Sequence, residues 1–382
     1  MVLNFLFIWS GVMKIKKEIR LKTLSPIHIG TGNEINKFEY ILDGRILKIY
    51  SLDKLISLLK ENQIEDFVSR IENNFELDEN LIRRHLSSIQ KYQLEKPPEI
   101  RYLNKNKAIK EFIKFIDSRG YKPYIPSSEI KGAIRTAILY KILKDEWDYY
   151  KNTVLIQENT YRLNEKSAKL LENKVFFIKY GNVSIDIMKI FSIEDAYIED
   201  NLTPLVLKEI FVFNSRRLRG KTDYAECLNK NISFKSKIEI DKSLLDIYKN
   251  YRYKKYIINW KNCCYEYAKD LISVEKEYWF SRNRNIYEFL EKLEEKNTQG
   301  EPLIRVGRYT GKLSHTILIL LKIKNSNGNI NNYRNIFPKT RRITTNNEVL
   351  GWIKLEDLTE NNKQSFDKEK LRKLLSKKFR VR

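Results

Sequence analysis

Apolar and charged residues alternate over several short stretches of this chain, and this period of two predicts β-strands. The first such stretch runs from residue 14 to residue 23. Two further runs, 38–42 and 45–50, flank Asp43-Gly44, a pair typical of a two-residue hairpin turn. More strands are predicted at 175–178, 183–187, 209–213, 232–240, 316–323 and 349–355.

Other stretches place apolar residues three and four positions apart, the period of an amphipathic helix. One of these helices follows Pro126, with a buried stripe that begins at Ile130. Ser127 or Ser128 is expected to cap its first turn. Further helices are predicted within 51–95, over 107–117, within 245–271 and over 288–296.

The composition favours a globular protein with a polyanionic partner. The 382 residues suffice for about two domains. The formal net charge is +23, from 72 Lys and Arg against 49 Asp and Glu. This excess points to nucleic acid first and to an acidic membrane surface second. The alternative is that a lysine-rich proteome makes basic proteins without a polyanionic partner.

The cysteines predict neither a zinc site nor a disulfide framework. Cys227, Cys263 and Cys264 form no Cys-x-x-Cys pair. A reducing, cytoplasmic location is therefore expected. No stretch reaches the length of a membrane span, and the apolar residues 1–9 are far too short for one. Membrane partners are not predicted.

Both ends of the chain differ from the rest. Met13 opens an ordinary start, so residues 1–12 are expected to be an extension or a mis-assigned start. The segment 361–382 is expected to be a basic tail, since residues 365–382 carry eight Lys or Arg against two acids.

A glycine-rich loop at residues 307–312 is the first candidate for phosphate binding. Gly307 and Gly311 permit positive φ angles and close approach of another backbone. Arg305, Arg308 and Lys312 place positive charge beside the exposed amides, which suits a phosphate chain. The alternative interpretation is a tight turn.

The helix after Pro126 and a basic run are the next candidates. Lys131 and Arg135 lie four apart on one helical face, and Gly132 lets another backbone approach the first turn. This arrangement predicts a phosphate cradle; the alternative is an amphipathic helix with solvated basic residues. The basic run, which follows the strand predicted at 209–213, contains Arg216, Arg217, Arg219 and Lys221. Its charge density favours a polyanion contact, and the alternative is a solvated loop.

Candidates for catalysis are few. The sequence has three histidines, His28, His85 and His315, and no paired-carboxylate or metal-ligand spacing, so no metal or cofactor is predicted. His28, beside a glycine turn, is the best candidate for a general base in metal-independent RNA cleavage. The favoured interpretation is that it packs against the adjoining strand.

Four motifs in order resemble the CRISPR-associated RAMP proteins. Residues 25–32 resemble the first-strand motif, 126–136 the helix start, and 305–311 the glycine-rich loop of that family. The basic residues 338–342, followed by Leu350-Gly-Trp, narrow the resemblance to the fifth-subunit family of the type III-A (Csm) effector complex. Two residues depart from the helix motif: Ser127 replaces a usual glycine and Glu129 a usual serine.

The resemblance implies an α+β fold of two ferredoxin-like (RRM-like) modules with helical insertions, at 13–200 and 201–360. It implies a non-catalytic subunit that caps the 3′ end of the crRNA-bound filament and assists crRNA 3′-end maturation. The implied partners are crRNA, other Csm subunits and recruited host nucleases. The alternative is a crRNA-processing endoribonuclease that uses His28. Besides the phosphate-binding candidates of the glycine-rich loop, the helix and the basic run, the RNA-binding candidates are His28, Gly30, Gly32, Ser127, Ser128, Lys339, Arg341 and Arg342.

Overall fold

The computed structural model describes ten ranges of the chain, which contain both strands and helices. The predicted extension 1–12 and the predicted basic tail 361–382 lie outside the described residues. None of the helices in these ranges combines the length and apolarity that a bilayer crossing requires. The described ranges are 14–73, 78–118, 120–155, 165–180, 183–199, 205–214, 220–243, 248, 251–324 and 337–358.

The secondary structure is mixed, as predicted. The strands are β1 (Lys14–Thr23), β2 (Gly30–Ile35), β3 (Tyr40–Asp43), β4 (Ile46–Tyr50), β5 (Gln90–Glu95), β6 (Ile109–Phe112), β7 (Lys114–Asp117), β8 (Gly120–Ile125), β9 (Phe177–Tyr180), β10 (Val183–Asp186), β11 (Phe191–Ile193), β12 (Ala196–Ile198), β13 (Leu205–Asn214), β14 (Thr222–Leu228), β15 (Ser233–Asp241), β16 (Leu303–Arg305), β17 (Thr340–Thr344) and β18 (Trp352–Asp357). The helices are α1 (Leu52–Leu58), α2 (Glu61–Glu72), α3 (Glu79–Ile89), α4 (Ser127–Asp145), α5 (Trp147–Leu155), α6 (Glu165–Phe176), α7 (Lys254–Ile258), α8 (Trp260–Trp279), α9 (Arg284–Lys296) and α10 (Leu318–Lys324).

The first large sheet is built around the antiparallel pair β1 and β15. Its strand order is β16-β18-β1-β15-β12-β8-β7, and β11 also pairs with β15. Along β15 every second residue is buried, which leaves the intervening charged residues on the open face. The long helices α4 and α8 pack together and belong with the buried face to one hydrophobic core.

The second large sheet has the order β2-β6-β14-β13-β5-β4-β3, with β17 paired to β13. It has its own smaller core, and a further apolar cluster joins this region to α1 and α3. Each of the two sheets combines strands from both sides of residue 200. The division into modules at that residue stays a prediction.

The hairpin at Asp43-Gly44 is confirmed. β3 and β4 pair antiparallel there, and Gly44 has a φ of 59°, in the left-handed region that this turn needs. The predicted strand at residues 14–23 is confirmed as β1. Local turn chemistry and alternation were sufficient to place both elements.

Two predicted elements are wrong. Residues 107–117 form β6 and β7 instead of a helix, because β6 is held between β2 and β14 of the second sheet. Residues 316–323 contain helix α10 instead of a strand. Leu318 to Leu321 are all buried, and an apolar run covered on every side has no period that separates helix from strand.

Candidate nucleic-acid interface

Three segments that are distant in the sequence meet at one cleft of about 550 Å³. They are the start of β2, the first three turns of α4, and the glycine-rich loop after β16. Three of the four predicted motifs therefore share one surface. The cleft is lined by Ile29, Gly30, Gly32, Ser128, Glu129, Gly132, Ala133, Thr136, Arg305, Val306, Gly307, Arg308 and His315.

The glycine-rich loop crosses directly over the backbone of His28. The Arg308 N–H donates to the His28 carbonyl oxygen over 2.8 Å. Gly307 has a φ of 82°, and a Cβ at this position would lie 2.5 Å from the same oxygen. Only glycine satisfies both the backbone angle and the close approach. The contact fixes the loop against the first-strand motif.

Gly351, in the late Leu-Gly-Trp motif, holds the other side of the loop. Its N–H donates to the Pro26 carbonyl and its carbonyl accepts from the Val306 N–H, both over 2.9 Å. Its φ is 95°, and a Cβ would lie 2.5 Å from the Val306 oxygen. Gly351 was not among the predicted site residues. The signal that could have found it was the Leu350-Gly-Trp motif, which was recognised in the sequence but was given no structural role.

The His28 side chain lies beneath the cleft, fully buried. Its Nδ1–H donates to the Glu226 carbonyl oxygen over 2.7 Å, and its ring lies 5.5 Å from that of Tyr309. Burial lowers the pKa of His28 to about 4, so the ring is neutral near pH 7. Its Nε2 is buried beside Gly30. The side chain packs against the fold and does not reach the cleft surface.

The start of α4 differs from the expectation. Pro126 occupies the N-cap position without a side-chain cap, so capping by Ser127 or Ser128 is wrong. The Ser127 N–H instead donates to Asp195 Oδ1 over 2.7 Å. Glu129 Oε2 accepts from the Gly307 N–H over 3.1 Å. The Glu129 carboxylate thus accepts the hydrogen bond of an amide that was predicted to bind phosphate.

Three of the predicted RNA-binding arginines are held by contacts within the fold. Arg135 bonds Asp186 at 2.8 Å and Glu172 at 3.3 Å. Its guanidinium lies 4.1 Å from the centre of the Phe176 ring. Ion pairing of this kind leaves few of its donors for a ligand.

The other two are buried. Arg341 bonds Glu275 through Nε at 2.9 Å, and both side chains are shielded from solvent. Arg305 donates to the Leu350 carbonyl over 2.9 Å, and burial lowers its pKa to about 10. Although Arg305 lines the cleft, its charge lies beneath the surface.

Other predicted basic residues remain accessible. Arg308, Lys312, Lys339 and Lys221 are exposed. Lys131 is half-buried, and burial lowers its pKa. Gly311, with a φ of 86°, precedes the turn that carries Lys312. Arg216, Arg217 and Arg219 lie outside the described residues.

Arg342 connects the late basic motif to the glycine-rich loop. It bonds Asp223 at 3.2 Å and lies 5.6 Å from the Tyr309 ring, and Arg308 lies 5.4 Å from the same ring. Within the ranges that the structure describes, no group of three or more His, Cys, Asp or Glu could hold a metal ion. The cleft therefore offers the exposed Arg308 side chain and the Glu129 carboxylate, while the amides of Val306, Gly307 and Arg308 are already bonded within the fold.

Known proteins resemble this chain over almost its whole length. The family model of the RAMP superfamily matches residues 20–379. A Methanocaldococcus jannaschii protein named "CRISPR system Cms protein Csm5" is 24% identical over 395 residues, covering 89% of this chain and 89% of that protein. A Streptococcus thermophilus protein of the same name is 31% identical over 136 residues, covering 32% of this chain and 37% of that protein.

Two solved structures share the fold. A chain of the cryo-EM structure of a Csm-crRNA-target RNA ternary complex has a TM-score of 0.66 and 22% identity, covering 90% of this chain and 100% of that chain. The crystal structure of T. onnurineus Csm5 has the same TM-score and identity, covering 87% and 99%. These relatives confirm the resemblance to the fifth Csm subunit, and the solved structures confirm the mixed α/β fold. Because the family model spans nearly the whole sequence, the chain belongs to the RAMP superfamily.

Proposed function

We propose that this chain is an RNA-binding subunit of a type III-A CRISPR effector complex. The observation that carries the proposal is the convergence of the first-strand motif, the α4 start and the glycine-rich loop in one cleft. Arg308 lies exposed at this cleft, and Lys312 follows four residues later. A net charge of +23 supports a polyanionic ligand.

RNA is bound mainly through charge and through contacts with its sugar-phosphate backbone, and less through hydrogen bonds to the edges of its bases. Exposed Arg and Lys neutralise phosphates and release counterions, which gives affinity without sequence information. Among the described residues, the exposed predicted ones for this role are Arg308, Lys312, Lys339 and Lys221, with Lys131 partly accessible. Arg135 and Arg341 stabilise the fold instead of contacting RNA, because carboxylates already bind their guanidinium groups.

The partners follow from the relatives. Both are named Csm5, and one solved neighbour comes from a complex of Csm proteins with crRNA and target RNA. The proposal therefore includes crRNA and other Csm subunits as partners. It includes the 3′-end position on the crRNA filament, a part in 3′-end maturation with recruited nucleases, and the cytoplasm as location. The two ferredoxin-like modules and their boundary at residue 200 stay predictions.

A binding role without catalysis is favoured over the endoribonuclease alternative by the position of His28. A general base must come within hydrogen-bond reach of the proton that it removes. The His28 ring is fully buried, and the glycine-rich loop packs on its backbone. Incubation with repeat-containing RNA in a chelator tests this directly: no specific cleavage is expected. Cleavage that His28→Ala abolishes would establish the alternative.

The subunit role is tested in the assembled complex. We expect ultraviolet crosslinks between the 3′ segment of crRNA and peptides that contain Arg308 or Lys312. A complex carrying Arg308→Ala and Lys312→Ala should show weaker crosslinks at that segment, with unchanged crosslinks to the other subunits. Crosslinks confined to the 5′ segment contradict the 3′-end position, and a complete absence of crosslinks contradicts RNA binding.

A further inference from the structure

Glu129 sits where a phosphate was expected. It is in the first turn of α4, lines the cleft, and accepts the Gly307 N–H through Oε2 over 3.1 Å. A phosphate at the same amide would face a like charge at close range, which is unfavourable. Arg308, next in sequence to Gly307, is exposed on the cleft surface and offers a cationic partner for a phosphate there.

The carboxylate has capacity for a second partner. An ionised carboxylate accepts hydrogen bonds at both oxygens. Among the described residues, Gly307 is the hydrogen-bond partner of the Glu129 side chain, and this bond engages Oε2 alone. The carboxylate is thereby oriented by the loop, and Oε1 remains an acceptor in a cleft of about 550 Å³. Such a site selects a ligand that donates a hydrogen bond to Oε1.

The surroundings allow a sugar to approach. Gly132, on the next turn of α4, is exposed, and a Cβ placed there would meet no atom within 4 Å. Gly30 and Gly32 line the facing side without side chains. In an RNA strand each phosphate is joined to a ribose whose 2′-OH is a donor. Carboxylates are well suited to this hydroxyl, as in dinucleotide sites where Asp or Glu binds the ribose.

We propose that Glu129 accepts a hydrogen bond from the 2′-OH of one bound nucleotide, while Arg308 holds the adjoining phosphate. The cleft then selects RNA over DNA at this nucleotide, because the 2′-OH is the group that distinguishes the two at a given position. The inference rests on the proposed RNA-binding function and adds the chemical group that the cleft recognises.

The test compares single-stranded RNA with DNA of the same sequence, at one salt concentration, on the full-length chain. Glu129→Ala removes a hydrogen bond to a charged group, so the preference for RNA over DNA should fall about tenfold or more. A matched control is Glu61→Ala, an exposed acid in the first turn of α2, which should leave the preference unchanged. RNA with a single 2′-deoxy nucleotide should bind wild type more weakly at one position only, and bind Glu129→Ala equally at all positions.

Glu129→Gln serves as the second variant, since its carboxamide oxygen can still accept from Gly307. Its preference should lie between those of wild type and Glu129→Ala. An equal loss of RNA and DNA binding in both variants would mean that Glu129 only supports the loop. An equal gain of RNA and DNA binding would mean that Glu129 only repels phosphate. Either result overturns the inference. Equal affinity of wild type for RNA and DNA also overturns it and leaves RNA binding intact. Wild type that binds neither removes the proposed function itself.

Discussion

Gly307 is the residue whose chemistry most constrains the cleft. Its positive φ and the 2.5 Å approach of a hypothetical Cβ to the His28 oxygen leave no room for a side chain. The sequence predicted this property of the glycine, because glycine is the residue that adopts such angles readily. It could not predict which backbone lies opposite, since that depends on how the loop after β16 packs against the segment that follows β1.

We expect Gly307→Ala to lower the free energy of unfolding by about 1–3 kcal/mol, because alanine is strained at this angle and must displace the neighbouring carbonyl. Gly132→Ala is the matched control. Gly132 lies within α4 with open space around it, so alanine should raise stability by about 0.5–1 kcal/mol. Urea unfolding of the three proteins measures both effects. Equal stabilities for the two variants would contradict the close packing at Gly307.

His28 gives the protein a defined pH dependence. Its pKa is lowered from 6.5 to about 4 in the fold, so between these values the unfolded chain binds more protons than the folded one. Stability contributed by neutral His28 is therefore complete above pH 6.5 and decreases as the pH falls towards 4, by about 3 kcal/mol. His28→Asn should remove this part of the slope. Denaturant titrations from pH 4 to pH 7 test it, and identical slopes for both proteins would contradict the burial.

Among the helices and strands, the sequence predicted correctly the elements that turn residues and alternation determine. It predicted wrongly those that depend on contacts with distant parts of the chain. The hairpin at residues 43–44 and the strand β1 follow from turn residues and alternation. Residues 107–117 became two strands because neighbouring strands supply their hydrogen bonds. Helix α10 is buried along its apolar run, so its sequence carries no amphipathic period.

The elements also decide which basic residues are available. Arg341 on β17 joins Glu275 on α8, and both side chains are buried. The two residues lie 66 positions apart, and no sequence pattern identified them as a pair. The match to the late basic motif therefore assigned to RNA an arginine that stabilises the contact between the sheet and the helix.

Removing one member of this buried pair leaves the other uncompensated. We expect Arg341→Ala to lower the free energy of unfolding by about 3–5 kcal/mol. Lys339→Ala, two residues earlier and exposed, is the control and should change stability by less than about 0.5 kcal/mol. Thermal unfolding compares the two. Similar transitions for both variants would contradict a structural role for Arg341.

The molecule as a whole brings together motifs that the sequence could only place in order. The first-strand motif, α4 and the glycine-rich loop meet at the cleft, and the late glycine Gly351 joins the turn after β1 to the loop by main-chain hydrogen bonds. The resemblance predicted that these motifs belong together. It could not predict that Arg135, Arg305 and Arg341 are held within the fold, because their partners lie on other elements.

The salt dependence of RNA binding shows whether the glycine-rich loop neutralises phosphates. For single strands the slope of log K against log salt falls by about 0.7 for each phosphate that the protein no longer neutralises. We therefore predict a slope reduced by about 1.4 for Arg308→Ala with Lys312→Ala, since two phosphates are then left without a cation. The control pair, Lys54→Ala with Lys60→Ala, removes the same charge from exposed positions at α1 and α2, which do not line the cleft. Its slope should equal that of the wild type. Equal slopes for wild type and both pairs, or equal reductions for the two pairs, would contradict a phosphate-binding cleft at the glycine-rich loop.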